Sequence, residues 1–218
     1  MTNILKKVCL LGAAIVLINS TSEAKKIQGK IVLADKTMDV TLEVPLKMFG
    51  KKPNLRKLQK SVSYYDSNGQ KVKVKAKDAK EISFVFDTIS IRMVSLTNLS
   101  VIGGTTAASD YLFLKLDVEG KLNMYSYYYI KMPMVYSPQS LGPAYGNTGW
   151  HTGGKSAKKH IFQKGNGELR LPNSLTFKND MLDYFSDCSE LYNKIEKREF
   201  KKESMMQIAL FYNANCGK

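Results

Sequence analysis

Arginine is scarce in this 218-residue chain, although the chain is strongly basic. Its net charge is +14, from 33 basic and 19 acidic residues. The arginines are Arg56, Arg92, Arg170 and Arg198. Planar phosphate recognition favours arginine, whereas lysine is a hydrated point charge. We therefore expect no nucleic-acid partner, and we interpret the charge as a source of solubility and of weak attraction to envelope glycans or other anionic polymers.

The chain also lacks an apolar run of about 20 residues, the length that a spanning helix needs. Residues 1–24 combine a basic start, the apolar run 8–18 and the small residues Ser22 and Ala24 at the two positions that cleavage requires. This pattern predicts a secretory signal peptide, with cleavage between Ala24 and Lys25. Cys9 lies at the start of the run, so a lipoprotein signal is not expected. We expect an exported protein, periplasmic or extracellular, with no transmembrane anchor.

Histidine is almost absent, and the motifs of known catalytic sites are missing. His151 and His160 have no cysteine or carboxylate at zinc-ligand spacing. Serine, histidine and aspartate are all present, but no nucleophile-elbow motif is. We therefore predict no catalytic residue and no metal ligand. A secreted hydrolase acting on glycans or peptides stays open, because carboxylate pairs cannot be found from one sequence.

One nucleotide-binding pattern does occur. Residues 149–156 fit the phosphate-loop pattern G-x-x-x-x-G-K-[ST]. Such a loop needs a buried strand before it and a helix after it, because the helix N-terminus holds the phosphates. Here residues 142–148 are rich in glycine, and residues 157–162 resemble the entry to a strand. We interpret the match as chance and predict no cofactor.

Two alternating runs between Tyr111 and Ile130 predict a β-hairpin. A three-residue loop, 118–120, pairs Leu116 with Leu122 and places apolar residues opposite each other, with Gly120 in a bulge. One face then carries Leu112, Leu114, Leu116, Leu122, Met124 and Tyr128, and the other carries Phe113, Tyr125, Tyr127 and Tyr129 beside Lys115. Because both faces are apolar, we expect this hairpin to be central and covered on both sides.

A second hairpin is predicted over residues 61–76, with the loop Ser67-Asn68-Gly69. Its register pairs Tyr64 with Val72 and leaves a polar face that includes a row of lysines. The lysines are Lys71, Lys73 and Lys75. They are either a ligand-binding stripe or a solvated face that protects a sheet edge, and we favour the second interpretation.

The segment Ser137–Ala157 is rich in glycine and proline, so we predict a long loop. It contains Tyr145 and the only tryptophan, Trp150. These rings could stack on a sugar, or the loop could be an insertion whose aromatics pack back onto the body. We favour the insertion.

Helical periodicity begins at Thr176. The predicted inward residues are Phe177, Met181, Leu182 and Phe185, then Leu191 and Ile195, then Met205, Ile208, Ala209 and Tyr212. Asp187 is the predicted N-cap of the second helix, and Ser204 opens a capping box for the third. A short turn between these helices makes them antiparallel, which brings Cys188 near Cys216. Export favours a disulfide there, and two separate thiols are the alternative.

The tail contains YF.DC..L...I from Tyr184 and YN..C from Tyr212. It resembles the end of a family of uncharacterised exported proteins common in Bacteroidota. The layout from Ile27 to Phe84 is similar to theirs as well. The resemblance implies a bacterial envelope or secreted location, and it implies no particular activity and no functional residues.

The sequence therefore predicts a signal peptide at 1–24, an antiparallel β domain at 25–173 and C-terminal helices at 174–218. The β domain is a sandwich or open barrel of nine or ten strands, because the runs are too short and too evenly punctuated for βαβ units. The predicted function is non-catalytic binding or a structural role in the cell envelope. The alternatives are a secreted hydrolase and a basic module that binds anionic polymers.

Overall fold

The computed structural model describes residues 23–47, 50–97, 99–102, 111–131 and 154–216. In these residues, ten strands form one open antiparallel sheet in the order β10-β9-β8-β7-β6-β5-β1-β2-β3-β4. The strands are β1 (Ala24–Val32), β2 (Thr37–Pro45), β3 (Ser61–Tyr65), β4 (Lys71–Lys75), β5 (Glu81–Phe86), β6 (Ile89–Leu96), β7 (Leu112–Val118), β8 (Leu122–Lys131), β9 (Lys155–Lys164) and β10 (Leu169–Arg170). The predicted antiparallel β class is confirmed.

Four α-helices lie in the described residues, and three of them form the predicted C-terminal segment. They are α1 (Leu55–Leu58), α2 (Phe177–Tyr184), α3 (Ser189–Glu196) and α4 (Met205–Asn215). Short 3-10 turns occur at Ala76–Asp78, Leu99–Ile102 and Lys202–Ser204. None of the helices in this part of the chain combines the length and hydropathy that crossing a bilayer requires.

The inward faces of α2, α3 and α4 are largely as predicted, with Leu182 only partly buried. The N-cap of α3 is Cys188 and not the predicted Asp187. Ser204 is the N-cap of α4, as predicted, but its side chain makes no capping bond to that helix. The hydroxyl oxygen of Ser204 accepts the N–H of Lys201 at 3.4 Å, within the preceding 3-10 turn. The carboxylate of Asp187 contacts distant side chains instead of its own helix.

The core has three clusters of buried apolar side chains. One lies under β1, β2, β3, β5 and β6, and another lies between strands β7, β8 and β9 and helices α2–α4. A third, which includes Leu114, Tyr125 and Ile161, covers the opposite face of β7, β8 and β9. The central hairpin is therefore covered on both sides, as predicted. The tail helices share their core with Val118, Leu122 and Met124 of that hairpin.

The predicted register of the central hairpin is wrong. Leu116 lies opposite Tyr125, Val118 lies opposite Met124, and Asp117 is the extra residue of a bulge between them. The pairing is shifted by an odd number of residues, which moves the side chains of one strand to the other face. Gly120 has no positive φ, so the predicted glycine bulge is absent as well.

The second hairpin has the predicted register, with Val62 opposite Val74 and Tyr64 opposite Val72. Gly69 has φ +74°, the left-handed conformation that glycine adopts at no steric cost. The carboxylate of Asp66 accepts the N–H groups of Asn68 and Gln70 at 2.9 and 2.8 Å, which closes the turn. β4 is the outermost strand of the sheet, so this hairpin forms one of its edges.

The predicted loop at 137–157 is too long at its C-terminal end. β9 begins at Lys155, because it pairs with β8 over its whole length, as far as Lys131. The remainder of the predicted loop, with Tyr145 and Trp150, lies outside the described residues. So does the predicted signal segment as far as Ser22. β1 begins at Ala24, where the predicted cleavage site lies.

Candidate functional site

Four polar side chains from the neighbouring strands β7, β8 and β9 meet on one face of the sheet, and we call them the polar row. They are Lys115, Asp117, Ser126 and His160. Ser126 lies opposite Lys115 on one side and opposite His160 on the other, so these three share a face. Asp117 is two residues beyond Lys115 on β7, and its carboxylate contacts both Lys115 and Ser126. The register error described above hid this assembly from sequence reasoning.

The carboxylate of Asp117 is the centre of the polar row. Its side chain is only 5% exposed, and both the ammonium of Lys115 and the hydroxyl of Ser126 donate to it. Nδ1 of His160 lies 3.3 Å from Oγ of Ser126 and 3.8 Å from Oδ2 of Asp117. A buried carboxylate is tolerated only when it is paired and hydrogen-bonded, and here both conditions are met.

Burial lowers the pKa of His160 below its usual 6.5. The ammonium groups of Lys158 and Lys115 act in the same direction, and the carboxylate of Asp117 acts against them. At neutral pH the imidazole is therefore uncharged. A neutral imidazole beside a carboxylate and a hydroxyl has the composition of a hydrolytic triad.

The arrangement of the polar row does not match the geometry of a triad. In a triad the histidine uses one ring nitrogen for the nucleophile and the other for the carboxylate. Here the same nitrogen, Nδ1 of His160, faces both Ser126 and Asp117. The hydroxyl of Ser126 donates to Asp117, and Ser126 is fully buried, so no substrate reaches it. The row joins β7, β8 and β9 as a structural network.

A cleft of about 490 Å³ opens beside His160, and we call it the basic cleft. It lies at the edge of β9, where β10 pairs only with Phe162 and Gln163. Its lining consists of Lys158, Lys159 and His160 from β9, Tyr129, the segment Leu171–Ser174, Lys202 and Met205. Ligand sites typically have volumes of about 300–1,000 Å³, and the cleft falls within that range.

The lysines of the basic cleft have no carboxylate partner in the described part of the chain. Nζ of Lys159 donates to the carbonyl of Ile102 at 3.0 Å and lies 5.4 Å from the ring centre of Tyr129. Nζ of Lys202 donates to the hydroxyl of Ser174. No ion pair is formed by Lys158, Lys159 or Lys202 among those residues, and the cleft lining contains no acidic residue. Among the described residues, Lys159 and Lys202 are therefore positioned by neutral partners.

The residues of the tail motif form a second polar assembly, which we call the tail clamp. Nζ of Lys164 donates to Oδ1 of Asp187 at 2.7 Å and to the carbonyl of Tyr184. The hydroxyl of Tyr212 donates to Oδ2 of Asp187 at 2.6 Å. The ammonium of Lys164 also lies about 5 Å from three ring centres, those of Tyr184, Phe185 and Tyr212.

Two further contacts complete the tail clamp. Oδ1 of Asn213 accepts the N–H of Leu122 at 2.7 Å, and its amide nitrogen donates to the carbonyl of Leu122 at 2.9 Å. Asn213 thus pairs with the strand as a backbone amide would. Cys188 and Cys216 are joined by a disulfide, with their Cα atoms 5.5 Å apart. The motif residues hold the helices on the sheet.

The lysines Lys71, Lys73 and Lys75 project from the edge strand β4. The ammonium of Lys71 is paired with the carboxylate of Glu43 on β2. This placement favours protection of a sheet edge over a ligand-binding stripe. The structure does not bring these lysines together with the basic cleft, which lies at the other end of the sheet.

No cluster of three metal-ligating side chains occurs in the residues that the structure describes. No protein-family model, curated protein or solved structure matches the chain.

Proposed function

We propose that this chain is an exported protein of the bacterial cell envelope that acts by non-catalytic binding. The observation that carries the proposal is the disulfide between Cys188 and Cys216. Disulfides of this kind form and persist in oxidising compartments outside the cytoplasm. The signal pattern at residues 1–24 and the resemblance of the tail to exported Bacteroidota proteins support the same location.

The geometry of the polar row supports a non-catalytic role. Ser126 is the one serine placed against both His160 and Asp117 in the described residues, and it is inaccessible to substrate. We interpret the polar row as a structural network whose hydrogen bonds and ion pairs stabilise charged side chains between two apolar clusters. The hydrolase alternative needs a different nucleophile and finds less support in the fold.

Export is tested by expressing the full chain in a Bacteroidota host and separating the periplasm, the medium and the cytoplasm. We expect a soluble protein outside the cytoplasm whose N-terminal residue is Lys25 or a close neighbour. A cytoplasmic protein that retains Met1 would contradict the proposal.

The hydrolase alternative is tested with the mature protein on sets of glycan and peptide substrates. We expect no turnover. If hydrolysis is detected and disappears in Ser126→Ala or His160→Gln variants that keep the wild-type melting temperature, the non-catalytic role is wrong.

Binding of anionic polymers remains a second candidate, and the observation that favours it is the basic cleft. Its lysines lack acidic partners in the described chain, whereas Lys71 on β4 is already paired with Glu43. The cleft, and not the lysine row of β4, is the better candidate for such a role.

A further inference from the structure

We propose that the basic cleft binds the acidic sugar units of an anionic saccharide. The proposal rests on the binding role proposed above and assigns it a site and a ligand class. The cleft combines three requirements of such a ligand: fixed positive charge, polar groups for hydroxyls, and an aromatic ring for the sugar face. Each of these is a feature of named residues.

The positive charge comes from two sides of the cleft. Lys158 and Lys159 project from β9, and Lys202 comes from the 3-10 turn before α4. The contacts of Lys159 to Ile102 and of Lys202 to Ser174 fix their positions before any ligand arrives. A ligand carboxylate or sulfate entering the cleft would supply a counter-charge that the described residues do not provide. Fixing the charges in advance reduces the entropy cost of binding.

The polar groups are those of Asn173 and Ser174 in the opposite wall. Oδ1 of Asn173 accepts the N–H of Leu175 at 2.9 Å, which orients its side-chain amide, and the amide nitrogen still carries donor hydrogens. The hydroxyl of Ser174 accepts from Lys202 and keeps its own hydrogen to donate. Such groups, spaced around a cleft, suit the hydroxyls of a sugar.

The aromatic ring is Tyr129, which lines the cleft under the ammonium of Lys159. The ring is half-buried and also stacks on Tyr127, with the ring centres 6.0 Å apart, so the part that lines the cleft is what it offers to the C–H face of a sugar beside polar groups. An extended acidic peptide is less well accommodated. It would pair with the edge of β9, but the opposite wall contains Pro172, which has no N–H to donate to a ladder.

The test is calorimetric titration of the mature protein with trigalacturonate, which carries a carboxylate on each sugar. Neutral maltotriose and the acidic peptide triglutamate are the comparison probes. We expect trigalacturonate to bind, triglutamate to bind at least about tenfold more weakly, and maltotriose not to bind measurably at low salt. Binding should weaken as salt is raised, because the contacts are ionic.

The cleft variant carries both Lys158→Gln and Lys202→Gln. Both side chains are exposed, and glutamine preserves most of their length. The matched control is Lys73→Gln with Lys75→Gln, which removes the same charge from exposed positions on β4. We expect the cleft variant to bind trigalacturonate about tenfold more weakly and the control to stay within about twofold of wild type.

Four results would overturn the proposal. Equal weakening in both variants would mean that net charge alone attracts the ligand. Unchanged binding in the cleft variant would place the site elsewhere. Triglutamate binding as tightly as trigalacturonate, with the same variant dependence, would make the ligand an acidic peptide. If none of the three probes binds, the cleft is not a saccharide-binding site. These outcomes are independent of where the protein is found, so a failure of export is distinguished from a failure of binding.

Discussion

The side-chain carbonyl of Gln59 accepts a hydrogen bond of 2.6 Å from the backbone N–H of Tyr128. The backbone carbonyl of Gln59 accepts the N–H of Phe113 at 2.7 Å. Tyr128 lies on β8 and Phe113 lies on β7. The ladder between these two strands ends at the pair Lys115 and Ser126, and both donors lie just beyond that pair. Gln59 therefore satisfies the backbone where the central ladder ends, and it ties α1 to the middle of the sheet.

Replacing Gln59 by alanine should lower the free energy of unfolding by about 1–3 kcal/mol, because the buried N–H of Tyr128 loses its acceptor. Urea unfolding followed by circular dichroism measures this loss. The control is Gln28→Ala, since Gln28 is exposed on β1, and its effect should stay within about 0.5 kcal/mol. Similar small effects of both changes would show that water replaces the Gln59 side chain.

Replacing Asn213 by alanine should destabilise the protein by about 1–3 kcal/mol. The change removes both bonds to the backbone of Leu122 and leaves the turn of the central hairpin without its partner on α4. Asn215→Ala is the matched control, because Asn215 lies on the same helix and, among the described residues, its side chain donates to the carbonyl of Phe211 within that helix. The melting temperature of Asn213→Ala should be clearly lower than that of Asn215→Ala. Equal melting temperatures would contradict this role of Asn213.

Acid should weaken the tail clamp through Asp187. Burial acts to raise the pKa of this carboxyl, but hydrogen bonds from Lys164 and Tyr212 outweigh it, so the pKa lies below the usual 3.8. The unfolded chain therefore takes up the proton first as the pH falls. Ionised Asp187 stabilises the fold above pH 3.8, and this contribution is lost as the pH falls from there through the lower folded-state pKa.

The measurement is the urea midpoint of wild type and Asp187→Asn between pH 7 and pH 2.5. The difference in urea midpoint between the two proteins should be largest at neutral pH and should decrease as Asp187 becomes protonated. Asp183→Asn serves as the control, because the Asp183 side chain is 84% exposed on α2. A gap for Asp187→Asn that does not change with pH would contradict the assigned electrostatic role.

The disulfide should be present in the purified mature protein. Alkylation of the denatured, unreduced chain with iodoacetamide should add no carbamidomethyl group, and alkylation after reduction should add two. Non-reducing gel mobility excludes a disulfide-linked dimer. Two groups added without reduction would mean free thiols. With Cys188 and Cys216 separated by 28 residues, loss of the bond should cost up to about 3.6 kcal/mol on the chain-entropy estimate.

Much of the local structure follows from the sequence alone. The register of the hairpin at 61–75 follows from its own residues, because the pairing that puts Val62 opposite Val74 and Tyr64 opposite Val72 also leaves a short turn that contains Gly69. The buried faces of α2, α3 and α4 likewise follow from helical spacing. In these elements the short-range pattern and the tertiary contacts favour the same arrangement.

The central hairpin differs because its sequence permits more than one register. Both of its faces are apolar, so alternation does not choose between pairings related by an odd shift. The choice depends on contacts from elsewhere in the chain: Gln59 holds its open end, Asn213 holds its turn, and the buried carboxylate of Asp117 is satisfied at a bulge.

The sequence by itself determined the strand class, the register of the hairpin at 61–75 and the helical tail, because each depends on residues close together; it favoured the cysteine pair, which the structure then showed. Only the tertiary structure decided the polar row and the basic cleft. Lys158 and Lys202 are 44 positions apart in the sequence and share no local pattern. They line one cleft only because β10 ends early and the 3-10 turn before α4 lies across that cleft from β9. Charge that is spread along the sequence becomes a site only when packing brings it to one place.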